Sequence, residues 1–164
     1  FADGAAAVVA THAEIPHQQA TSPALALQAS GSTLIPNTHD LMHWKIGNNG
    51  FSMGLSSKVP EAIGATLKPW LSDWLQTHGT SLNDIQHWAI HPGGPRILQA
   101  CADALNLRNA QLTESRFVLE HHGNMSSATI LFVLNHMREL GKIGPCVALA
   151  FGPGLCAEVA LMTL

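Results

Sequence analysis

The sequence predicts a layered α/β domain, a mixed and buried sheet packed by helices. Three observations predict it. Runs at His87 to His91, Cys146 to Ala150 and Ala157 to Thr163 are short and apolar, the pattern of strands covered on both faces. Longer segments before and between them carry apolar residues three and four apart, the pattern of helices with one buried stripe. Glycine and proline punctuate the junctions, which separates the elements cleanly. Helices alternating with very apolar strands argue for layers around a common sheet. A length of 164 residues suits one domain or one half of a larger α/β enzyme.

In chain order, Ala5 to Ala10 is a short apolar run that predicts a buried strand. Thr11 to Pro23 mixes His, Gln and Ser with two prolines and predicts a loop. Leu25 to Ala29 and Leu41 to Ile46 are strand-like patches around the turn residues Pro36 and Asn37. Gly47-Asn48-Asn49-Gly50 predicts a turn, with Phe51 to Leu55 leaving it as a strand. Ser57 to His78 is a helix, with Ser57 as its cap, Pro60 in its first turn and Glu61 at the positive end of its dipole. Ile63, Leu67, Trp70, Leu71, Trp74 and Leu75 form its apolar face, Pro69 predicts a kink or a break, and Gly79 ends it. Pro95 to Leu105, Leu112 to His122 and Ser126 to Leu140 are further helices, the last two closed by Gly123 and Gly141. The two final strands meet at Gly152-Pro153-Gly154.

Composition excludes several functions. Net charge is −3 and the eight Lys and Arg are scattered, so no basic stripe exists for nucleic acid. Charged residues are 12% of the chain, against roughly 25% in an ordinary domain. Much of the outer surface is therefore expected to lie against something else, a missing half or a second subunit. The apolar tail from Cys146 to Leu164 is interrupted by Gly152-Pro153-Gly154 and Glu158, which excludes a membrane span. Three cysteines without Cys-x-x-Cys spacing suit a reducing, cytoplasmic setting. Phe1, with no initiator methionine, predicts that an N-terminal portion precedes this sequence.

Three turns bear the polar groups that could do chemistry: His91-Pro92-Gly93-Gly94-Pro95, Gly123-Asn124-Met125-Ser126-Ser127-Ala128 and Phe151-Gly152-Pro153-Gly154-Leu155. His91 ends an apolar strand, where ligands sit in α/β sheets. Gly93 and Gly94 beside it would let a ligand approach the backbone. The plain alternative is a histidine satisfied by nearby backbone. Asn124 either caps the helix that follows or turns its amide toward a ligand while Ser126 or Ser127 caps. The Gly152-Pro153-Gly154 turn is a tight hairpin that could also floor a pocket. An imidazole and an amide aimed at one point would supply two N–H donors to a developing oxyanion. Ten histidines invite a metal, but the spacing refuses one. His87 and His91 lie about 13 Å apart on a strand, His121 and His122 point apart, and His12 and His17 have no partners at ligand spacing. A Ser126-His91 hydrolase lacks the Gly-x-Ser-x-Gly elbow. Cys101, Cys146 and Cys156 are packed small hydrophobes.

Together, these motifs make the chain resemble the C-terminal half of a type III polyketide synthase of the chalcone and stilbene synthase-like family, which has the thiolase fold. Ala2-Asp3-Gly4-Ala5-Ala6-Ala7 is similar to the family's mid-chain strand. Trp88 to Pro95, Gly123 to Ala128 and Phe151 to Leu155 are similar to its histidine, asparagine and closing segments. The resemblance implies one C-terminal thiolase-like domain over residues 1–164, with the nucleophilic cysteine on an N-terminal half outside this chain. It implies an acyltransferase that performs decarboxylative Claisen condensation of malonyl-CoA onto an acyl-CoA starter, with no cofactor beyond the CoA thioester substrates, as a homodimer. In that reading His91 and Asn124 are the catalytic pair of a Cys-His-Asn set. Gly93, Gly94, Ser126, Gly152 and Pro153 face substrate, and Met53 stands where many members place a phenylalanine between tunnel and cavity. Two alternatives remain open in the sequence: an initiating 3-ketoacyl-carrier-protein synthase, and a non-catalytic, partner-binding half-domain.

Overall fold

A computed structural model describes residues 1–12 and 24–164. The first strand, β1 (Ala26–Leu34), is followed by a hairpin of β2 (Met42–Gly47) and β3 (Gly50–Leu55). Helix α1 (Val59–Thr77) leads to β4 (His87–Ile90) and α2 (Pro95–Leu105). Helices α3 (Thr113–His122) and α4 (Ala128–Glu139) precede the closing strands β5 (Pro145–Gly152) and β6 (Cys156–Thr163). The main sheet has the order β1-β6-β5-β4. Only the β4–β5 pair is parallel, with Ile90 opposite Leu149. The β2–β3 hairpin forms a second, two-stranded sheet.

Strand alternation builds the layers. Side chains on successive strand residues point to opposite faces. Trp88 and Ile90 of β4, Val147 and Leu149 of β5, and Val159 and Leu161 of β6 pack against Ile63, Leu67, Leu71 and Leu75 of α1 and Leu98, Cys101 and Leu105 of α2. The intervening Ala89, Cys146, Ala148 and Met162 pack against Val118 of α3 and Val133, Leu134 and Met137 of α4. The sheet is thus sandwiched, as the apolar strands predicted.

Four expectations need correction. Ala5 to Ala10 forms no strand: the run carries no regular structure and is exposed. Among the described residues nothing covers it, and an unpaired apolar segment has no ladder to join. Ser57 does not cap α1. Lys58 occupies that position without a side-chain bond, and the Ser56 hydroxyl accepts the Lys58 N–H at 3.2 Å instead. Of the kink or break expected at Pro69, the break does not occur: α1 runs from Val59 to Thr77 with the proline inside it. Proline faces solvent there, while Leu67 and Leu71 on either side are fully buried. Apolar burial along the whole stripe outweighs one lost helical hydrogen bond. Finally, β1 reaches Leu34, well past the expected Ala29, because Ser30 to Thr33 pair with β6 despite their polarity. Gly31 has a packing reason: a Cβ there would run into the Trp74 indole of α1. Apart from Thr11 and His12, the loop expected over residues 11–23 lies outside the described residues, as does His17.

Pro69→Ala restores a helical N–H at an exposed position and removes a ring clash. It is expected to raise unfolding stability by about 1–3 kcal/mol. Urea denaturation checks this, and a loss of stability would mean that the proline shapes α1.

Candidate active site

The sheet places His91. It is the first residue beyond β4, and its backbone N–H donates to the Leu149 carbonyl at 2.7 Å. Parity along the strand puts its side chain on the same face as Ala89, the face covered by α3 and α4. The Gly93 N–H donates back to the His91 carbonyl at 2.9 Å, which closes a tight turn. The imidazole is half-buried, and among the described residues its ring has no hydrogen-bond partner. Burial disfavours the imidazolium and holds His91 below the ordinary imidazole range. A neutral ring carries one N–H donor.

Helix α3 places Asn124. The helix stops at Gly123, whose φ of 72° lies in the left-handed region. A side chain could not fit there in any case, since a Cβ would come within 2.9 Å of the Ala2 Cβ. The Asn124 carbonyl accepts the Ala2 N–H at 2.7 Å, so the first residues of the chain run along this corner. Neither capping alternative is realised. Asn124 Oδ1 accepts the Ser126 N–H at 2.9 Å, which fixes the amide's orientation. Ser127 sits at the N-cap without a side-chain bond. The start of α4 is held instead by Thr129, whose hydroxyl accepts the Met125 N–H at 2.8 Å and donates to the Ser126 carbonyl at 2.9 Å.

The two turns meet at Gly93. Asn124 Nδ2 donates to the Gly93 carbonyl at 3.3 Å. The His91 ring stands 3.8 Å, at Nε2, from where a Gly93 Cβ would be. The imidazole and the carboxamide, 33 residues apart in the sequence, thus flank one glycine. An amide nitrogen carries two protons, and only one is engaged with Gly93.

The other expected residues surround this corner to different degrees. Gly94 is the N-cap residue of α2. Ser126 is exposed, with a left-handed φ of 59°, two residues beyond Asn124. Gly152 ends β5, the strand parallel to β4, so the Gly152-Pro153 turn lies at the same end of the sheet as His91, with Pro153 exposed. Thr38, which sequence reasoning missed, fixes that turn: its hydroxyl accepts the Leu155 N–H at 2.9 Å and donates to the Ile35 carbonyl at 2.6 Å. Met53 is farther off, half-buried on the hairpin opposite Trp44. The hairpin stem approaches the same turn, where the Gly154 N–H donates to the Met42 carbonyl at 3.4 Å. A cleft of ≈ 520 Å³ opens elsewhere, between α1 and α2, lined by Glu61, Arg96, Gln99 and Asp103 among others. None of the expected site residues lines it.

No cysteine here is poised as a nucleophile. Burial pushes the Cys101 and Cys146 thiols up to about 12. Partial burial and the hydrogen-bonded carboxylate of Glu158 also raise Cys156. Among the described residues no three His, Cys, Asp or Glu side chains gather as metal ligands, and no helix is long and apolar enough to cross a membrane.

Comparison with known proteins agrees with this architecture. The family model for chalcone and stilbene synthases, C-terminal domain, matches residues 26–164. The chain is 39% identical over 165 residues to a 1,3,6,8-tetrahydroxynaphthalene synthase of Streptomyces peucetius subsp. caesius, covering 99% of this chain and 43% of that protein. It is 33% identical to the alpha-pyrone synthesis polyketide synthase-like Pks18 of Mycobacterium tuberculosis, covering 100% of this chain and 42% of that one. Among solved structures, a polyketide synthase, PKS-I, of the brown alga Ectocarpus siliculosus superposes with a TM-score of 0.81 at 27% identity, over 91% of this chain and 42% of that one. The chain therefore spans less than half the length of these relatives.

The lowered His91 value has a stability consequence. The unfolded chain binds a proton at His91 near pH 6.5, and the folded chain binds it only at lower pH. The associated stability is fully present above about pH 6.5 and is lost as pH falls through the folded value. Wild type should therefore lose more stability than His91→Gln between pH 7.5 and pH 5. An imidazole NMR titration placing His91 at or above 6.5 would contradict this. Alkylation by iodoacetamide at pH 7 should leave Cys101 and Cys146 untouched in the folded chain, and rapid labelling of either would show that its burial is wrong.

Proposed function

The chain belongs to the chalcone and stilbene synthase family, and from that premise we propose that it supplies the histidine and asparagine of a Cys-His-Asn condensing site. The supporting observation is the meeting of His91 and Asn124 at Gly93, each with one side-chain N–H uncommitted.

The reaction is a decarboxylative Claisen condensation. The thioester carbonyl of malonyl-CoA sits between the imidazole and the carboxamide. The bond from the α-carbon to the carboxylate breaks and carbon dioxide leaves. The electron pair remains as an enolate, with its charge on the thioester oxygen. Two N–H donors stabilise that charge more than they stabilise the neutral carbonyl, which lowers the barrier. The enolate carbon then attacks the acyl thioester of the starter, carried on a cysteine outside this chain, and the thiolate leaves. A neutral His91 donates one hydrogen bond to the enolate, and before acylation the same neutral ring could take the cysteine proton and pair, as imidazolium, with the thiolate.

Gly93 and Gly94 leave the corner open to a CoA thioester, and Ser126, Gly152 and Pro153 form its rim. Met53 would border the passage to the cavity, where a flexible thioether admits starters that a phenylalanine would exclude. Acyl-CoA and malonyl-CoA are the substrates, and no further cofactor takes part. A homodimer is favoured by the low charge and by exposed apolar side chains such as Val9, Ile46 and Phe51, which are 94%, 84% and 72% accessible. The free thiols suit a reducing, cytoplasmic setting.

Malonyl-CoA decarboxylation by the whole polypeptide that carries this chain tests the assignment. His91→Ala and Asn124→Ala should each lower the rate by roughly 10²- to 10³-fold, and Asn124→Ala should also cost some stability because it removes the bonds to Gly93 and Ser126. Unchanged carbon dioxide release in both variants would defeat the roles given to them.

A further inference from the structure

The edge strand β4 leaves the buried Ile90 N–H without a sheet partner. On one side β4 pairs with β5, and the open edge has no strand. Ile90 is fully buried, and its backbone N–H faces that open edge. A buried amide without an acceptor is rare in folded proteins. The acceptor is the hydroxyl of Ser115, which lies 3.1 Å away and is itself completely buried. Ser115 belongs to α3, the helix that ends at Gly123 and hands the chain to Asn124.

This bond has a counterpart. Ile90 immediately precedes His91, and Gly93 follows two residues later. The first is pinned to α3 by Ser115 and the second to the end of α3 by Asn124. Strand end and helix therefore form a closed ring: Ile90 to Gly93, across to Asn124, back along α3 to Ser115, and across to Ile90. His91 lies between the two pins. With only the Asn124 bond, the end of β4 would be tied to α3 by one hydrogen bond beside the packing of Ala89 against Val118.

We propose that Ser115 is a positioning residue for the His91–Asn124 pair, fixing the strand that carries the imidazole to the helix that delivers the carboxamide. The catalytic consequence rests on the condensing role proposed above, and the structural consequence does not. Ser115 touches no substrate. It acts by holding two donors in register, and a displacement of about 1 Å can cost a hundredfold in rate. A serine that merely filled the core would affect stability alone.

Ser115→Ala and Ser115→Thr, made in the whole polypeptide, distinguish these roles by three readouts. Alanine should speed hydrogen exchange at the Ile90 amide by about tenfold or more. It should move the His91 titration midpoint toward the ordinary value of about 6.5, as water enters the loosened corner. It should lower kcat for malonyl-CoA decarboxylation roughly tenfold while KM stays within about twofold. Threonine, which keeps the acceptor, should restore all three. In a His91→Ala background, Ser115→Ala should lower kcat by less than it does in wild type. A Ser115→Ala protein that loses only stability, with His91 titrating and turning over as in wild type, would overturn the proposal. If wild type releases no carbon dioxide from malonyl-CoA, the condensing role fails. The His91 titration then decides the proposal alone, and an unmoved midpoint overturns it. Should Ser115→Ala fail to fold, Ser115→Cys, with its weaker acceptor, carries the same comparison.

Discussion

The hydrogen bond from the Asn124 carboxamide to the Gly93 carbonyl is the constraint on which the site depends. It joins two turns, 33 residues apart in the sequence, that the sheet and α3 bring together on one face. Each loop is shaped locally. A tight turn follows His91, and a left-handed glycine ends α3. Neither would position a reacting group without the other. The bond also determines what the amide can offer. Oδ1 is occupied by the Ser126 N–H and one Nδ2 proton by Gly93, so the remaining donor is presented in a fixed orientation. Preorganised donors of this kind cost no reorganisation when charge develops, which makes them more effective than water.

The second half of the chain was legible in its sequence almost to the residue. Pro95, Gly123 and Gly141 mark helix boundaries by steric rules that context seldom overrides, and strands as apolar as Cys146 to Ala150 have nowhere to go but a buried sheet. The first half was less legible. Polar residues of β1 join the ladder because β6 supplies hydrogen-bond partners from far along the chain. Ala5 to Ala10 has strand composition but no partner among the described residues, so composition alone misleads. At Pro69 the helix continues where a break was one of two expected outcomes, with the buried stripe of Ile63, Leu67, Leu71 and Leu75 carrying α1 through it.

The same division applies to the site. The turns that carry His91 and Asn124 were visible because glycines beside a polar group mark a shaped turn, while the pairing of the two residues came only from the resemblance to the family. Their partners were not visible. Ser115, Thr129 and Thr38 resemble ordinary helix and loop residues, and their roles depend on acceptors or donors that only the fold brings near. The one available signal was negative: a hydroxyl at a position whose helical neighbours are buried must find a partner. The low charge content was a more direct clue, since the described surface does carry large exposed apolar side chains, from Phe1 and Val9 to Ile46 and Ile143.

The proposed condensing role requires one oxygen atom to fit between the two donors. A crystal structure of the whole polypeptide with an unreactive malonyl-CoA analogue bound tests it, with the thioester oxygen expected within about 3.1 Å of both a His91 ring nitrogen and Asn124 Nδ2. A bound analogue whose oxygen lies beyond hydrogen-bond reach of either group would contradict it.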